Sequence, residues 1–82
     1  MKIGQIVYSK AGRDKGKALS VISSDNTGVF VVDGKERPLE RPKLKNPKHL
    51  ILTDYCLSEE EYRSNKALRA SLKRYQAKKD EL

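Results

Sequence analysis

Apolar and polar residues alternate over residues 3–53 in short runs that are typical of β-strands. Turn signals separate these runs, namely AGRDKGK, DNTG and DG, the last of which favours a type I′ hairpin. The pattern predicts five strands, over residues 3–8, 18–24, 29–32, 35–40 and 50–53. Pro38 cannot donate a ladder hydrogen bond, so we expect the fourth strand at an edge or a bulge. Five short strands in a chain of 82 residues predict a mainly β fold, a small barrel.

The hydrophobic period changes at Ser58, where a C-terminal helix is predicted to begin. Ser58 and Glu61 have the spacing of a capping box, and Leu57 and Tyr62 that of a hydrophobic staple. The apolar stripe of this helix consists of Leu68, Leu72 and Tyr75. Its basic face carries Arg63, Lys66, Arg69, Lys73 and Arg74. We therefore expect a barrel over residues 1–56 and, over residues 57–82, a helix that packs on it through the stripe and ends in a frayed tail.

The surface of this domain is expected to be strongly basic. Lysine and arginine number 18 against 11 acidic residues, which gives a net charge of +7. Residues 1–50 hold eleven basic and five acidic side chains, net +6, whereas residues 51–82 contribute +1. Such an excess favours a polyanionic partner, with nucleic acid ahead of an anionic membrane. Because so short a chain forms one core and no deep cleft, we do not expect an enzyme.

Cysteine usage and the chain ends favour a cytoplasmic protein. One cysteine, Cys56, excludes an internal disulfide and a CxxC motif. The N-terminal MKIGQIVYSK has no apolar signal-peptide core, and no stretch approaches the roughly 18 apolar residues of a membrane span. The final KDEL matches a lumenal retention signal, but its receptor reads it only on secreted chains, so we expect no retention role.

The segment AGRDKGK, residues 11–17, holds two glycines and four charged side chains between two apolar runs. It resembles a nucleotide-binding phosphate loop in outline. However, only three residues separate Gly12 from Gly16, and Ala18 stands where that motif needs a hydroxyl for magnesium. Two interpretations remain, a grip on a nucleic-acid backbone, since glycines allow close approach to phosphate, or a plain basic turn.

A second basic segment favours the nucleic-acid interpretation. It supplies six cations within the fourteen positions 35–48, and Pro42 and Pro47 are expected to keep residues 41–48 extended. Extended lysines follow a phosphate backbone at low entropic cost, and a small barrel brings them near the first turn. The candidate binding residues are Lys10, Gly12, Arg13, Lys15, Gly16, Lys17, Lys35, Arg37, Arg41, Lys43, Lys45, Lys48 and His49.

The stretch IGQIVYSKAGRDKGKALSVI, residues 3–22, resembles a KOW motif, with Gly16 flanked by Lys15 and Lys17 between two apolar strands. The blocks GQIVYSKAGRDKGK, VVDGKERPLERPK and HLILTD are similar, in order and spacing, to the fourteenth e-type large-subunit ribosomal protein family of archaea and eukaryotes and its small bacterial relatives. The resemblance covers residues 3–55. The best-matching positions are Gly4, Val7, Gly12, Gly16, Lys17, Ile22, Asp25, Val32, Asp33, Gly34, Leu52, Thr53 and Asp54. Ala18 replaces a glycine that KOW motifs often have, so the loop path is expected to differ there.

This resemblance implies an SH3-like β-barrel that binds ribosomal RNA through its phosphate backbone. The implied role is that of a large-subunit ribosomal protein or a ribosome-associated one, with ribosomal proteins as further partners. We expect no cofactor, no metal and a monomer outside the ribonucleoprotein. The alternatives are a ribosome assembly factor, a protein-interaction adaptor of the transcription or translation machinery, and an architectural DNA-binding protein.

Several single residues have two interpretations. His49 has no second histidine or ligand spacing for a metal, and a dyad with Cys56 depends on the fold. Cys56 is otherwise predicted as a small buried hydrophobe. Tyr8 and Phe30 are predicted as core residues, with base stacking as the alternative. Asp14 is expected to accept hydrogen bonds from the backbone of the basic loop.

Overall fold

The structure is a computed structural model that describes residues 1–81, with the side chains of residues 1–76. Its five strands are β1 Gln5–Ser9, β2 Ala18–Asp25, β3 Gly28–Val32, β4 Lys43–Lys45 and β5 Leu50–Cys56. Short 3-10 turns cover Gly12–Asp14 and Pro47–His49, and two helices follow the strands, α1 Glu59–Tyr62 and α2 Asn65–Glu81. The predicted mainly β chain with a C-terminal helical part is confirmed.

All five strands belong to one antiparallel sheet in the order β4-β3-β2-β1-β5. The sheet is not closed, because within the described residues the edge strands β4 and β5 do not pair with each other. Register shifts occur between Gln5 and Val7 against β5, and between Val21 and Ser23 against β3. Such irregularities bend a strand, so they add curvature to the sheet.

Apolar side chains are buried on both faces of the sheet, because successive side chains of a strand point to opposite sides. The cluster on one face contains Val7, Leu19, Val21, Val29, Val31 and Leu50. The cluster on the other face contains Ile6, Ala18, Val32, Leu57, Leu68 and Leu72. The second cluster joins strand and helix residues in one core, so the predicted barrel and helical parts share their packing.

The helical part begins at Ser58, as predicted. The Ser58 amide donates a hydrogen bond to Glu61 Oε1 at 3.0 Å, which closes the first turn of α1. The expected single helix is wrong, however, because the chain breaks after α1 and restarts where Ser64 Oγ accepts a bond from the Ala67 amide at 3.1 Å. The predicted apolar stripe is confirmed, since Leu68 and Leu72 are buried.

The predicted fourth strand over residues 35–40 is wrong. The Asp33 carboxylate accepts bonds from the amides of Lys35 and Arg37 at 2.8 and 2.9 Å, which holds this segment in a turn. Asp33 keeps a negative φ and only Gly34 takes a positive one, so the type I′ hairpin is also absent. The fourth strand forms later, as β4. Cys56, predicted to be buried, is exposed.

The C-terminal residues 77–82 include the tail expected to fray and the KDEL sequence. They lie outside the part of the chain whose side chains the structure describes. Over the described residues, no helix combines the length and the apolar character that a membrane crossing requires.

We predict that Gly34→Ala destabilises the fold more than Gly12→Ala. Both glycines have positive φ, 82° and 77°, so each alanine carries a similar backbone cost of about 1–2 kcal/mol. A Cβ at Gly34 would also overlap the Asn65 carbonyl oxygen and lie 3.0 Å from Leu68 Cβ, whereas at Gly12 the nearest described atom is Lys45 Nζ at 3.7 Å. The overlap adds about 1–3 kcal/mol, which urea denaturation of both variants measures. Equal losses would contradict the packing of α2 on this turn.

Candidate nucleic-acid interface

The connection between β1 and β2 is a loop held by its own backbone. The Gly16 amide donates to the Ser9 carbonyl at 2.8 Å, and the Ser9 amide donates to the Lys17 carbonyl at 3.2 Å. Gly12 and Gly16 both have positive φ, a conformation that side chains with a Cβ rarely adopt. The two glycines therefore define the path of the loop, which forms the turn expected between two strands.

Three cations of this loop region project into solvent. Lys10, Arg13 and Lys15 are exposed, and none forms an ion pair within the described residues. Lys17 differs, because its Nζ lies 3.2 Å from Glu36 Oε2 in an exposed salt bridge. Such surface pairs contribute little free energy, so a stronger anion replaces the carboxylate readily.

Asp14, the acidic residue of the loop, is 1% exposed. Its Oδ2 lies 3.2 Å from Lys45 Nζ on β4 and 3.3 Å from Arg37 Nη2 in the connection between β3 and β4. The expectation that this carboxylate bonds the loop backbone is therefore wrong. The loop instead folds toward β4, where two cations compensate the buried charge.

This ion-pair cluster shifts the pKa of Asp14. Burial raises the pKa, but the hydrogen bond from Lys45 and the positive charges of Arg37 and Lys45 outweigh it and hold the pKa below its ordinary value. The carboxylate is thus ionised at neutral pH. Arg37 and Lys45, two of the predicted phosphate-binding residues, are engaged inside the protein instead, with side chains 22% and 11% exposed.

The second basic segment adjoins the loop. The Lys10 amide donates to the His49 carbonyl at 2.7 Å, which places the end of the segment beside the start of the loop. Four of the six predicted cations of this segment are exposed, namely Lys35, Arg41, Lys43 and Lys48, and so is the adjoining His49. Of the residues expected to be extended, only those of β4 form a strand. Pro47 instead begins a 3-10 turn, a position that suits proline because the first residue of such a turn needs no N–H donor.

Helix α2 is attached to the same loop. Gln76 Oε1 accepts a hydrogen bond from the Ala18 amide at 2.7 Å, and Gln76 Nε2 donates to the Gly16 carbonyl at 3.0 Å. Tyr8 Oη donates to the Tyr75 carbonyl at 3.1 Å one residue earlier on the helix. Tyr8 and Phe30 are half-buried, which is closer to their predicted core role than to full exposure.

A cleft of about 550 Å³ separates α2 from the loop and the turn after β3. It is lined by Lys17, Ala18, Asp33, Lys35, Glu36, Arg69, Leu72, Lys73 and Gln76. The structure thus brings the predicted residues Lys17 and Lys35 together with Arg69 and Lys73. Arg69 and Lys73 belong to the predicted basic face of the helix, which the sequence pattern does not connect to the loop. Helical periodicity identifies that face and leaves its neighbours open.

The structure offers no support for a metal or dyad at His49. Within the described residues, no group of three or more His, Cys, Asp or Glu side chains is arranged to hold a metal ion. His49 precedes β5 and Cys56 ends it, so the seven-residue strand separates the two side chains. A dyad between them is therefore excluded by the fold.

A scan against protein-family models finds no match for this chain, and a search of curated proteins finds none either. The KOW resemblance therefore remains a prediction from the residues themselves.

We predict that Asp14→Asn lowers the free energy of unfolding at neutral pH by about 1–3 kcal/mol, because the variant leaves Arg37 and Lys45 without a counter-charge. The folded-state pKa of Asp14 is lowered, so its contribution is complete above about pH 5 and is lost as pH falls through the folded pKa. Denaturation curves of wild type and variant should converge in acid.

The exposed Asp54→Asn substitution is the matched control for this experiment, since it removes one carboxylate charge outside the cluster. It should leave stability at neutral pH within about 0.5 kcal/mol of wild type. A constant difference between wild type and Asp14→Asn from neutral to acid pH would show that charge is not the source of the effect.

Proposed function

We propose that this protein binds structured RNA through the phosphate backbone, as a ribosomal or ribosome-associated protein of the large subunit. The observation that supports it most is a group of exposed cations that form no ion pair among the described residues. They lie on and beside the loop of Gly12 and Gly16 between β1 and β2, here called the glycine loop, and on the adjoining segment, and are Lys10, Arg13, Lys15, Arg41, Lys43 and Lys48. Lysine and arginine exposed in this way form hydrogen bonds and ion pairs with phosphates without first losing an internal partner.

We infer that the fold is an SH3-like barrel that carries a KOW motif, and that β1, the glycine loop and β2 form this motif. Its supports are the five-stranded antiparallel order, the two register shifts that curve the sheet, and the positive φ of Gly12 and Gly16. The resemblance of residues 3–55 to the ribosomal family favours ribosomal RNA over DNA as the ligand.

The mechanism follows from charge and rigidity. Each cation that contacts a phosphate releases condensed counterions, which provides a favourable entropy and makes affinity depend on salt. The loop is held by backbone bonds at Ser9 and Gly16, so little conformational freedom is lost when RNA binds. Backbone contacts recognise the shape of an RNA helix more than its sequence.

A second candidate function is supported by β5, the edge strand opposite β4 in the sheet order. Ile51, Leu52 and Tyr55 on this strand are 47%, 52% and 47% exposed. An exposed apolar edge is a recognised docking surface for another protein. The protein-interaction adaptor is therefore retained as the alternative, with β5 as its contact surface.

Sedimentation of tagged protein in a sucrose gradient of cell lysate separates the two functions. Co-migration with the large ribosomal subunit that ribonuclease abolishes supports the proposal. Co-migration with a protein complex that survives ribonuclease and is lost on Leu52→Asp supports the adaptor. Leu52 lies on β5 and is not one of the cations proposed to bind RNA, so this substitution leaves those cations in place.

We predict that the affinity for a fluorescein-labelled RNA hairpin, measured by fluorescence anisotropy, falls steeply with salt, with a log–log slope of several units. Lys15→Gln should reduce that slope by about 1, because one phosphate contact is lost. Lys66→Gln makes the same charge change on the exposed face of α2 and should leave the slope unchanged. Binding that is indifferent to salt would reject the proposed function.

A further inference from the structure

The cleft between α2 and the glycine loop contains more positive than negative charge at its rim. Lys17, Lys35, Arg69 and Lys73 contribute four cations, and Asp33 and Glu36 contribute two carboxylates. Lys35, Arg69 and Lys73 form no ion pair among the described residues. The cleft is therefore a basic site built from three separate segments of the chain.

Neither carboxylate cancels this charge fully. Asp33 accepts two backbone hydrogen bonds, from the amides of Lys35 and Arg37, so part of its negative charge is compensated within the turn. Glu36 pairs with Lys17, but both side chains are about half exposed, at 56% and 43%, and such a pair is weak. Glu36 therefore holds Lys17 only weakly against an incoming anion.

The lining of the cleft favours one class of ligand. Ala18 and Leu72, both only 5% exposed, contribute apolar lining, and no lining residue among those described is aromatic. A nucleobase would find no ring among them to stack on, whereas the cations of the rim suit phosphate groups. Gln76 forms hydrogen bonds with both Ala18 and Gly16 and so holds the backbone of α2 against the loop.

We propose that this cleft binds the phosphodiester backbone of one RNA strand, with Lys17 and Lys35 on one wall and Arg69 and Lys73 on the other. Helix α2 is then part of the RNA-binding surface as well as of the core. The inference rests on the proposed RNA-binding function and extends it to Arg69 and Lys73 of α2, which lie outside residues 3–55 that the KOW resemblance covers.

The test compares two double variants with the same loss of charge. Arg69→Gln/Lys73→Gln removes the cations of the α2 wall, and Arg63→Gln/Lys66→Gln removes two exposed cations outside the cleft. Binding of labelled oligouridine and of a labelled RNA hairpin is measured by anisotropy over a salt series. The cleft variant should bind at least one probe about tenfold more weakly, with a salt slope lower by about 1–2, and the control variant should stay within about threefold of wild type.

The two probes also identify the source of the strand. A loss confined to oligouridine assigns the cleft to an unpaired strand, and a loss confined to the hairpin assigns it to one edge of a duplex. Equal losses in the cleft and control variants on both probes, with wild type binding normally, would overturn the cleft and leave the proposed function standing. A wild-type protein that binds neither probe would reject both.

A variant expected to bind RNA more tightly gives a second test, because misfolding would lower affinity and could not raise it. Glu36→Gln removes the carboxylate that competes for Lys17 and should strengthen RNA binding severalfold, about 3- to 10-fold. Glu60→Gln makes the same charge change on α1, outside the cleft, and should have a smaller effect. If both substitutions strengthen binding equally, the effect is one of net charge and the cleft assignment fails.

Discussion

The buried carboxylate of Asp14 is the interaction on which the arrangement of the basic surface depends. In the sheet order, the loop between β1 and β2 is separated from β4 by the strand β3. An ion pair between Asp14 and Lys45 at 3.2 Å therefore requires the sheet to curl until the loop reaches its far edge. Arg37 adds the connection after β3 to the same cluster. One carboxylate thus joins three segments that the strand ladder leaves apart.

The same cluster determines which cations remain available to a ligand. Arg37 and Lys45 compensate the buried charge of Asp14. If they turned outward to a ligand, the Asp14 carboxylate would remain buried without a counter-charge, which costs folding free energy. Lys15 and Lys43 form no ion pair among the described residues, and their side chains are exposed. The cluster still carries two positive charges against one negative, so it adds to the field that attracts an anion. The fold therefore uses Arg37 and Lys45 of this basic sequence and leaves Lys15 and Lys43 exposed for the proposed ligand.

Features that rest on residue spacing were predictable, whereas one local turn held by a side chain and the contacts between distant residues were not. The helix start at Ser58 and the buried pair Leu68 and Leu72 follow from spacing within a few residues. The strand predicted over residues 35–40 failed because the Asp33 side chain captures two nearby amides, a turn that alternation does not reveal. The partners of Asp14 lie 23 and 31 positions away, and such pairing depends on the curl of the sheet.

Charge counted over long segments also concealed the locally basic character of α2. Residues 51–82 carry a net charge of only +1, which directs attention to the first part of the chain. The acids of this region concentrate before and within α1, however, and residues 65–76 of α2 contain four basic side chains and no acidic one. A ligand responds to charges within about 10 Å at moderate salt and not to the sum over a segment. Gln76 holds this helix against the glycine loop, so Arg69 and Lys73 line one cleft together with Lys17, which lies about fifty residues earlier in the sequence.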